Sequence, residues 1–452
     1  MNSNSISFLC DTLHFFPEKK FYQNMETGEH YYYVDYRKGK EEIVTIRMLD
    51  FLDSNNSYIR EQNNFVYQQY VDNNANVRLE IQSRGGGDFF GLANEYARSN
   101  AMPDIFYMFP SGPSNYVQEK KVARDLTPIL KEEGIYNDYY ECVLDPSMQS
   151  SYILSELPLN LMVTSCVYVN TKVLKECGLE PAKSYDELKK QLKVLKKNGK
   201  ELILMGNDTS WVMQSCLFSM IIGRYAGSNW ANEILSGKMK CTDKPFKKAV
   251  EMVKKMYKDG VISKKSLTSS YQDITVSFAN EEGAYLIDGD WRSGAFVSDN
   301  KGYALISPYE QDKNIKIIPF PSLPGEVYSN TCSGVVGSGY GMANTVVRGS
   351  LKEKECIKLL KWLSGKEVQQ FKFDNGISTP SLKNGISYEK CEPIFKKRDE
   401  FYKSITKLTP VFDSYFPNNV SEVLNEMLYR LGKGEVDVNE VCKKVQQAID
   451  EQ

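Results

Sequence analysis

Residues 277–294 read S-F-A-N-E-E-G-A-Y-L-I-D-G-D-W-R-S-G and carry the most suggestive chemistry in the chain. The pattern predicts an amphipathic turn, a Glu281-Glu282-Gly283 break, an apolar strand over 284–287, and then Asp290, Trp291 and Arg292 just past the strand end. Such ends are where α/β proteins place ligands. An indole beside a carboxylate suits a sugar, because the ring covers an apolar C–H face while the acid accepts from hydroxyls. The competing reading places Trp291 in the core. Phe278, Ala284 and Leu286 read as packing residues, and Gly283 and Gly289 as turn formers. Asp288 and Asp290 are separated by one residue and point to the same side of a strand, so a carboxylate-dependent glycoside hydrolase is the alternative, with one acid as proton donor and the other as base or nucleophile. Asp288 before Gly289 is more simply a turn former, and no second carboxylate motif supports hydrolysis.

Other chemistries lack their residues. The two histidines, His14 and His30, leave no imidazole beyond residue 40 for a Ser-His-Asp triad or a His-ligated zinc. None of the ten cysteines makes a C-x-x-C pair, and they read as buried small hydrophobes. Gly85-Gly86-Gly87 lacks the G-K-[ST] continuation of a phosphate cradle and reads as a loop before a helix. No catalytic residue, metal or cofactor is expected. A net charge of -2 without a basic stripe argues against nucleic acid. Apolar runs at 161–169 and 216–223 are shorter than the roughly 20 residues of a membrane helix.

The elements that must position residues 288–292 alternate between strand and helix. Strands are predicted at 42–49, 77–81, 105–109 and 201–205, with helices at 64–70 and from Asp125-Leu126-Thr127-Pro128. Ser184 and Glu187 form a capping box for a helix striped by Leu188, Leu192 and Leu195 and closed by Asn198-Gly199. Pro245 opens another helix, with Phe246, Val250, Val253 and Tyr257 on one face and Gly260 past its end. Trp362 reads as core; Trp211 and Trp230 flank an apolar helix outside any stripe. Residues 1–40 have neither the basic start nor the long apolar stretch of a signal peptide, although Phe8-Leu9-Cys10 is similar to the end of a lipoprotein signal. They read as an extension without clear periodicity, a tail or tether. With 452 residues, 41% hydrophobic and 25% charged, the chain can hold two or three domains.

In this order the motifs resemble a family. Ala101-Met102-Pro103-Asp104-Ile105, Asp125-Leu126-Thr127, Tyr168-Val169-Asn170, Gly178-Leu179-Glu180-Pro181 leading to Ser184-Tyr185-Asp186-Glu187-Leu188, the run from Phe278 to Trp291, and Pro321-Ser322-Leu323-Pro324-Gly325 follow the pattern of the extracellular solute-binding proteins of bacterial ABC importers, in their maltose-binding-protein-like, sugar-binding branch. The resemblance covers residues 41–452. It implies an α/β, two-lobed periplasmic-binding-protein fold (type II), with discontinuous lobes joined by hinge crossings near Pro158, Cys332 and Ile377: 41–158 with 333–377, and 159–332 with 378–452. It implies a carbohydrate ligand held between the lobes by hinge closure, delivery to permease subunits, a monomer, and an extracytoplasmic, lipid-anchored location. The site residues it implies are Trp211, Asp290, Trp291 and Arg292 on the second lobe, Asp50 or Asp53 and Ser111 on the first, and Tyr340 in a turn over 337–341 near the second crossing. Two departures stand out. Asn280-Glu281-Glu282-Gly283 replaces the usual N-G, and Phe109-Pro110-Ser111-Gly112 lacks the charged pair of maltose-type proteins, so no particular sugar is inherited.

Overall fold

Short buried strands, each followed by an amphipathic helix, assemble into three sheets in the computed structural model of the chain. The structure describes residues 19–24, 29–34, 43–51, 57–84, 86–108, 121–145, 153–208, 210–298, 302–374 and 378–452. The first lobe is built on a seven-stranded sheet, in the order β1 (Lys19–Asn24), β2 (Glu29–Val34), β4 (Val77–Arg84), β3 (Val44–Phe51), β5 (Ile105–Met108), β13 (Gly339–Met342) and β6 (Leu157–Pro158). β3 runs parallel to both β4 and β5, so the carboxyl ends of these strands open on one side. Val77, Leu79 and Ile81 alternate inward along β4, as a sheet packed on one face by helices requires. The predicted helix at 64–70 is longer, Ser57–Asn73.

Part of the stretch 1–40, expected as a tail or tether, is paired into the first-lobe sheet. Two segments that showed no periodic pattern form the β1–β2 hairpin, and β2 pairs antiparallel with β4, His30 opposite Ile81. Edge pairing of this kind rests on backbone hydrogen bonds, which demand no hydrophobic alternation.

The second lobe is built on four strands, β11 (Ile315–Ile318), β8 (Cys166–Asn170), β10 (Gly283–Asp288) and β9 (Glu201–Leu204). Every residue of β8 and β10 is buried, which explains their continuous apolar runs. The Ser184 hydroxyl caps the helix Tyr185–Lys197 by accepting from the Glu187 amide at 3.3 Å, and the Glu187 carboxylate returns to the Lys183 amide at 2.7 Å. Gly260, in the left-handed conformation (φ 74°), ends the helix Lys244–Asp259. The Glu281-Glu282 break also has an account. Glu281 takes a left-handed turn (φ 61°), its carboxylate pairs with Lys172 at 2.6 Å, and its carbonyl accepts from Lys200 at 2.8 Å.

Between the lobes lies a three-stranded sheet of β14 (Lys407–Thr409), β12 (Thr331–Val336) and β7 (Leu161–Val163). The chain passes from β6 to β7 and from β12 to β13 side by side. The ladder stays continuous across the passage, with the Leu159 amide donating to the Ser338 carbonyl (3.1 Å) and the Gly337 amide to the Asn160 carbonyl (3.0 Å). Past Cys332, near which a crossing was expected, residues 334–336 pair with β7, and Gly337 and Ser338 lead on into β13. Ile377 lies outside the described residues. Just after it, Ser381 donates to the Pro158 carbonyl (2.6 Å), and Leu382 bridges Tyr139. Tyr340 is in strand β13 rather than in a turn. Glycine permits this, since a Cβ at Gly339 would lie 2.1 Å from the Leu157 carbonyl oxygen of the neighbouring strand.

Beside this ladder, Glu156 is fully buried, and among the described residues neither of its carboxyl oxygens has a well-formed hydrogen-bond partner. Burial pushes its carboxyl well above the usual range, 4.5, despite the nearby Gly339 amide. A carboxyl whose folded pKa is raised contributes most below its unfolded pKa and loses that contribution as pH rises through the folded value. Glu156→Gln, neutral at every pH, should therefore melt higher than the wild type once pH rises above the unfolded carboxyl's value, with a gap that widens as pH rises further in thermal melts. A flat or reversed gap would mean that Glu156 finds a partner in solution.

Candidate ligand site at the strand ends of the second lobe

β10 delivers its last residue, Asp288, to the carboxyl edge of the second-lobe sheet. The Asp288 carboxylate is 1% exposed and pairs with Arg292 at 2.5 Å, while the Gly289 amide (2.7 Å) and the Tyr271 hydroxyl (3.1 Å) donate to it. Burial raises its pKa against the pull of Arg292. Arg292 also donates to the Thr275 hydroxyl and the Tyr271 carbonyl, and its guanidinium lies 4.3 Å from the Tyr271 ring centre. Tyr168 fixes the turn from below, its hydroxyl donating to the Gly289 carbonyl at 2.9 Å. The Trp291 indole projects from this turn, half-buried, and donates through Nε1 to the Tyr271 hydroxyl at 2.7 Å.

Trp211 arrives from β9. The loop after that strand turns through Ser210 (φ 56°), and the Asn207 side chain accepts from the Met213 amide at 2.9 Å, starting the short helix Trp211–Met213. A π-turn, Gln214–Phe218, follows at once. It leaves the Ser215 carbonyl to accept from the hydroxyls of Thr164 (2.8 Å) and Ser333 (3.1 Å), which ties the Trp211 segment to the strands that lead into the crossings. Half-buried Trp211 lies 6.0 Å from Trp291 and 5.2 Å, edge to face, from Tyr271. Three aromatic rings thus share the strand ends of β9 and β10.

The other expected residues sit differently. Asp290 is 3% exposed, and its carboxylate accepts from the Val163 amide (2.7 Å) and from the Tyr402 hydroxyl. Arg292 is 5% exposed and committed to Asp288, Thr275 and Tyr271. Both were expected as ligand contacts beside Trp291; in the structure both are buried and held by protein partners, as a charge in so buried a place requires. On the first lobe, Asp50 and Tyr340 do come together, but inside. The Tyr67 hydroxyl (2.7 Å) and the Tyr340 hydroxyl (2.9 Å) donate to the Asp50 carboxylate, and all three residues are buried. Burial pushes the Asp50 carboxyl up against the pull of the two tyrosines. Asp53 and Ser111 lie outside the described residues. Tyr271, a lone tyrosine in a polar stretch, carries no signal of this place in the sequence. The half-buried Phe51 and Tyr107 at the carboxyl ends of β3 and β5, stacked at 5.7 Å, were not expected either; Phe51 follows Asp50 at the predicted strand end and could have been found there. Among the described residues no group of His, Cys, Asp and Glu could hold a metal ion, and no helix is long and apolar enough to cross a membrane.

Two α/β lobes bridged by paired crossings, with aromatic side chains presented at the strand ends, define a two-lobed solute-binding protein. The family model for bacterial extracellular solute-binding proteins matches residues 63–370, and the chain belongs to that family. It is similar to the multiple sugar-binding protein of Streptococcus mutans serotype c, 25% identical over 242 residues, a match that spans 53% of this chain and about half, 53%, of that one. It is 22% identical over 375 residues to the melibiose/raffinose/stachyose-binding protein MelE of Bacillus subtilis, covering 80% of this chain and 79% of that one. Among solved structures, the bacterial solute receptor AcbH, described as having an exclusive preference for β-D-galactopyranose, shares the fold with a TM-score of 0.72 at 10% identity, over 90% of this chain and 98% of that one.

Proposed function

We propose that this protein captures a carbohydrate, an oligosaccharide in particular, in the cleft between its lobes and delivers it unchanged to the permease subunits of an ABC importer. The observation that carries this reading is the Trp211–Trp291 pair, two half-buried indoles 6.0 Å apart on a braced turn at the strand ends. Indole faces of this kind cover the C–H face of a pyranose. The names of the Streptococcus mutans and Bacillus subtilis relatives, both sugar-binding proteins, support the same ligand class. First-lobe contacts from Asp53 and Ser111, closure about the hinge, a monomeric state, and a lipid anchor at the outer face of the membrane belong to this reading. The hydrolase alternative loses ground on geometry, since Asp288 and Asp290 are both buried and held by protein donors.

Calorimetric titration with melibiose, raffinose, stachyose and galactose tests the proposal. The expected result is saturable binding of at least one sugar, recovered intact. Absence of binding across the panel would overturn the carbohydrate reading, and release of new reducing ends would overturn non-catalytic capture.

A further inference from the structure

Trp291 is fixed at two edges of its indole. At one edge Nε1–H donates to the Tyr271 hydroxyl at 2.7 Å, and that hydroxyl passes its own proton toward Asp288 at 3.1 Å. At the other edge the six-membered ring rests on the backbone of Gly289, so closely that a Cβ there would fall 2.2 Å from two ring carbons. Tyr271 is itself clamped, with the Arg292 guanidinium over its ring and Trp211 against its edge. Among the described residues, its hydroxyl is thus the group that both orients the Trp291 plane and occupies the only polar atom of the indole.

From this geometry we infer that Tyr271 is a positioning residue for the sugar site, and that Trp291 recognises its ligand by its π face alone, with no hydrogen bond from Nε1. The inference rests on the sugar-capture reading above. It names the ligand feature that the second lobe selects: an uninterrupted C–H face on a pyranose ring, rather than a hydroxyl placed to accept from the indole. The Asp288–Arg292 pair acts one step further back by holding Tyr271.

The test uses Tyr271→Phe in the full chain, with Trp291→Ala and the double variant as controls, and the sugar of the melibiose, raffinose, stachyose and galactose panel that binds most tightly. Tyr271→Phe removes the acceptor of Nε1–H but keeps the ring beneath Arg292. Affinity should fall about 3- to 10-fold, the net worth of one hydrogen bond, and in the Trp291→Ala background the same change should have no further effect. In parallel, the indole N–H resonance assigned to Trp291 by its loss in Trp291→Ala should move, and exchange faster with solvent, in Tyr271→Phe. An unmoved resonance would overturn the hydrogen bond. A moved resonance with unchanged affinity, or an equal loss of affinity in the Trp291→Ala background, would overturn the positioning role. If Trp291→Ala binds the sugar as the wild type does, or no sugar of the panel binds the wild type, it is the capture reading that falls, and the resonance still decides whether Tyr271 fixes Trp291.

Discussion

Replacing Trp291 by alanine should weaken sugar binding by roughly 1 to 3 kcal/mol, about 5- to 150-fold in Kd, while moving the melting temperature little. The asymmetry follows from where the indole's contacts lie. Its side chain is half-buried, so truncation removes only part of a core contact, and its single polar bond goes to a tyrosine hydroxyl that still has Asp288 as a partner. The turn that carries it remains braced without it, since Asp290 holds Val163 and Tyr402, and Tyr168 holds the Gly289 carbonyl. Paired calorimetry and thermal melts decide the matter. A large loss of stability with unaltered affinity would return Trp291 to the core and remove the central contact of the proposed site.

What the sequence made legible, and what it hid, divide along local and long-range interactions. The capping box at Ser184, the left-handed Gly260 and the all-buried strand 283–288 follow from residues within one turn or one strand of each other, and pattern reading captures such signals. The turn at 288–292 was placed correctly for the same reason. The fates of its charged residues were not visible, because they depend on partners far away in the chain: Tyr402 is 112 residues from Asp290, and Tyr340 is 290 residues from Asp50. An acid beside a tryptophan gives no local sign of the distant donor that holds it. The β1–β2 hairpin was hidden differently, since its pairing is written in the edge of β4 rather than in its own side-chain pattern.

Arg224 is the extreme case of a residue whose role no local pattern announces, and its replacement should produce the largest stability effect in the second lobe. Within an apolar helix, Ser219–Ala226, its guanidinium donates to the carbonyls of Phe320 (2.7 Å), Pro321 (2.9 Å) and Thr331 (3.1 Å) and pairs with Glu326 at 3.1 Å. The side chains of this pair are 1% and 7% exposed. Arg224→Ala would leave a buried carboxylate without its cation and remove a charged donor from three carbonyls, a change that costs about 3 to 5 kcal/mol, or on the order of 5 to 10 °C in melting temperature. Much of that cost comes from the orphaned charge rather than from the lost attraction. Arg224→Ala combined with Glu326→Gln should therefore recover part of the loss, whereas Glu326→Gln alone should be clearly destabilising. Strictly additive losses in this cycle would show that the two charges do not act as a pair. Because the segment that Arg224 clasps runs directly into β12, which leads through Gly337 and Ser338 to β13, the single variant should also weaken sugar binding if the clasp holds that strand in register. Unchanged affinity at a temperature where the variant is fully folded would confine Arg224 to stability alone.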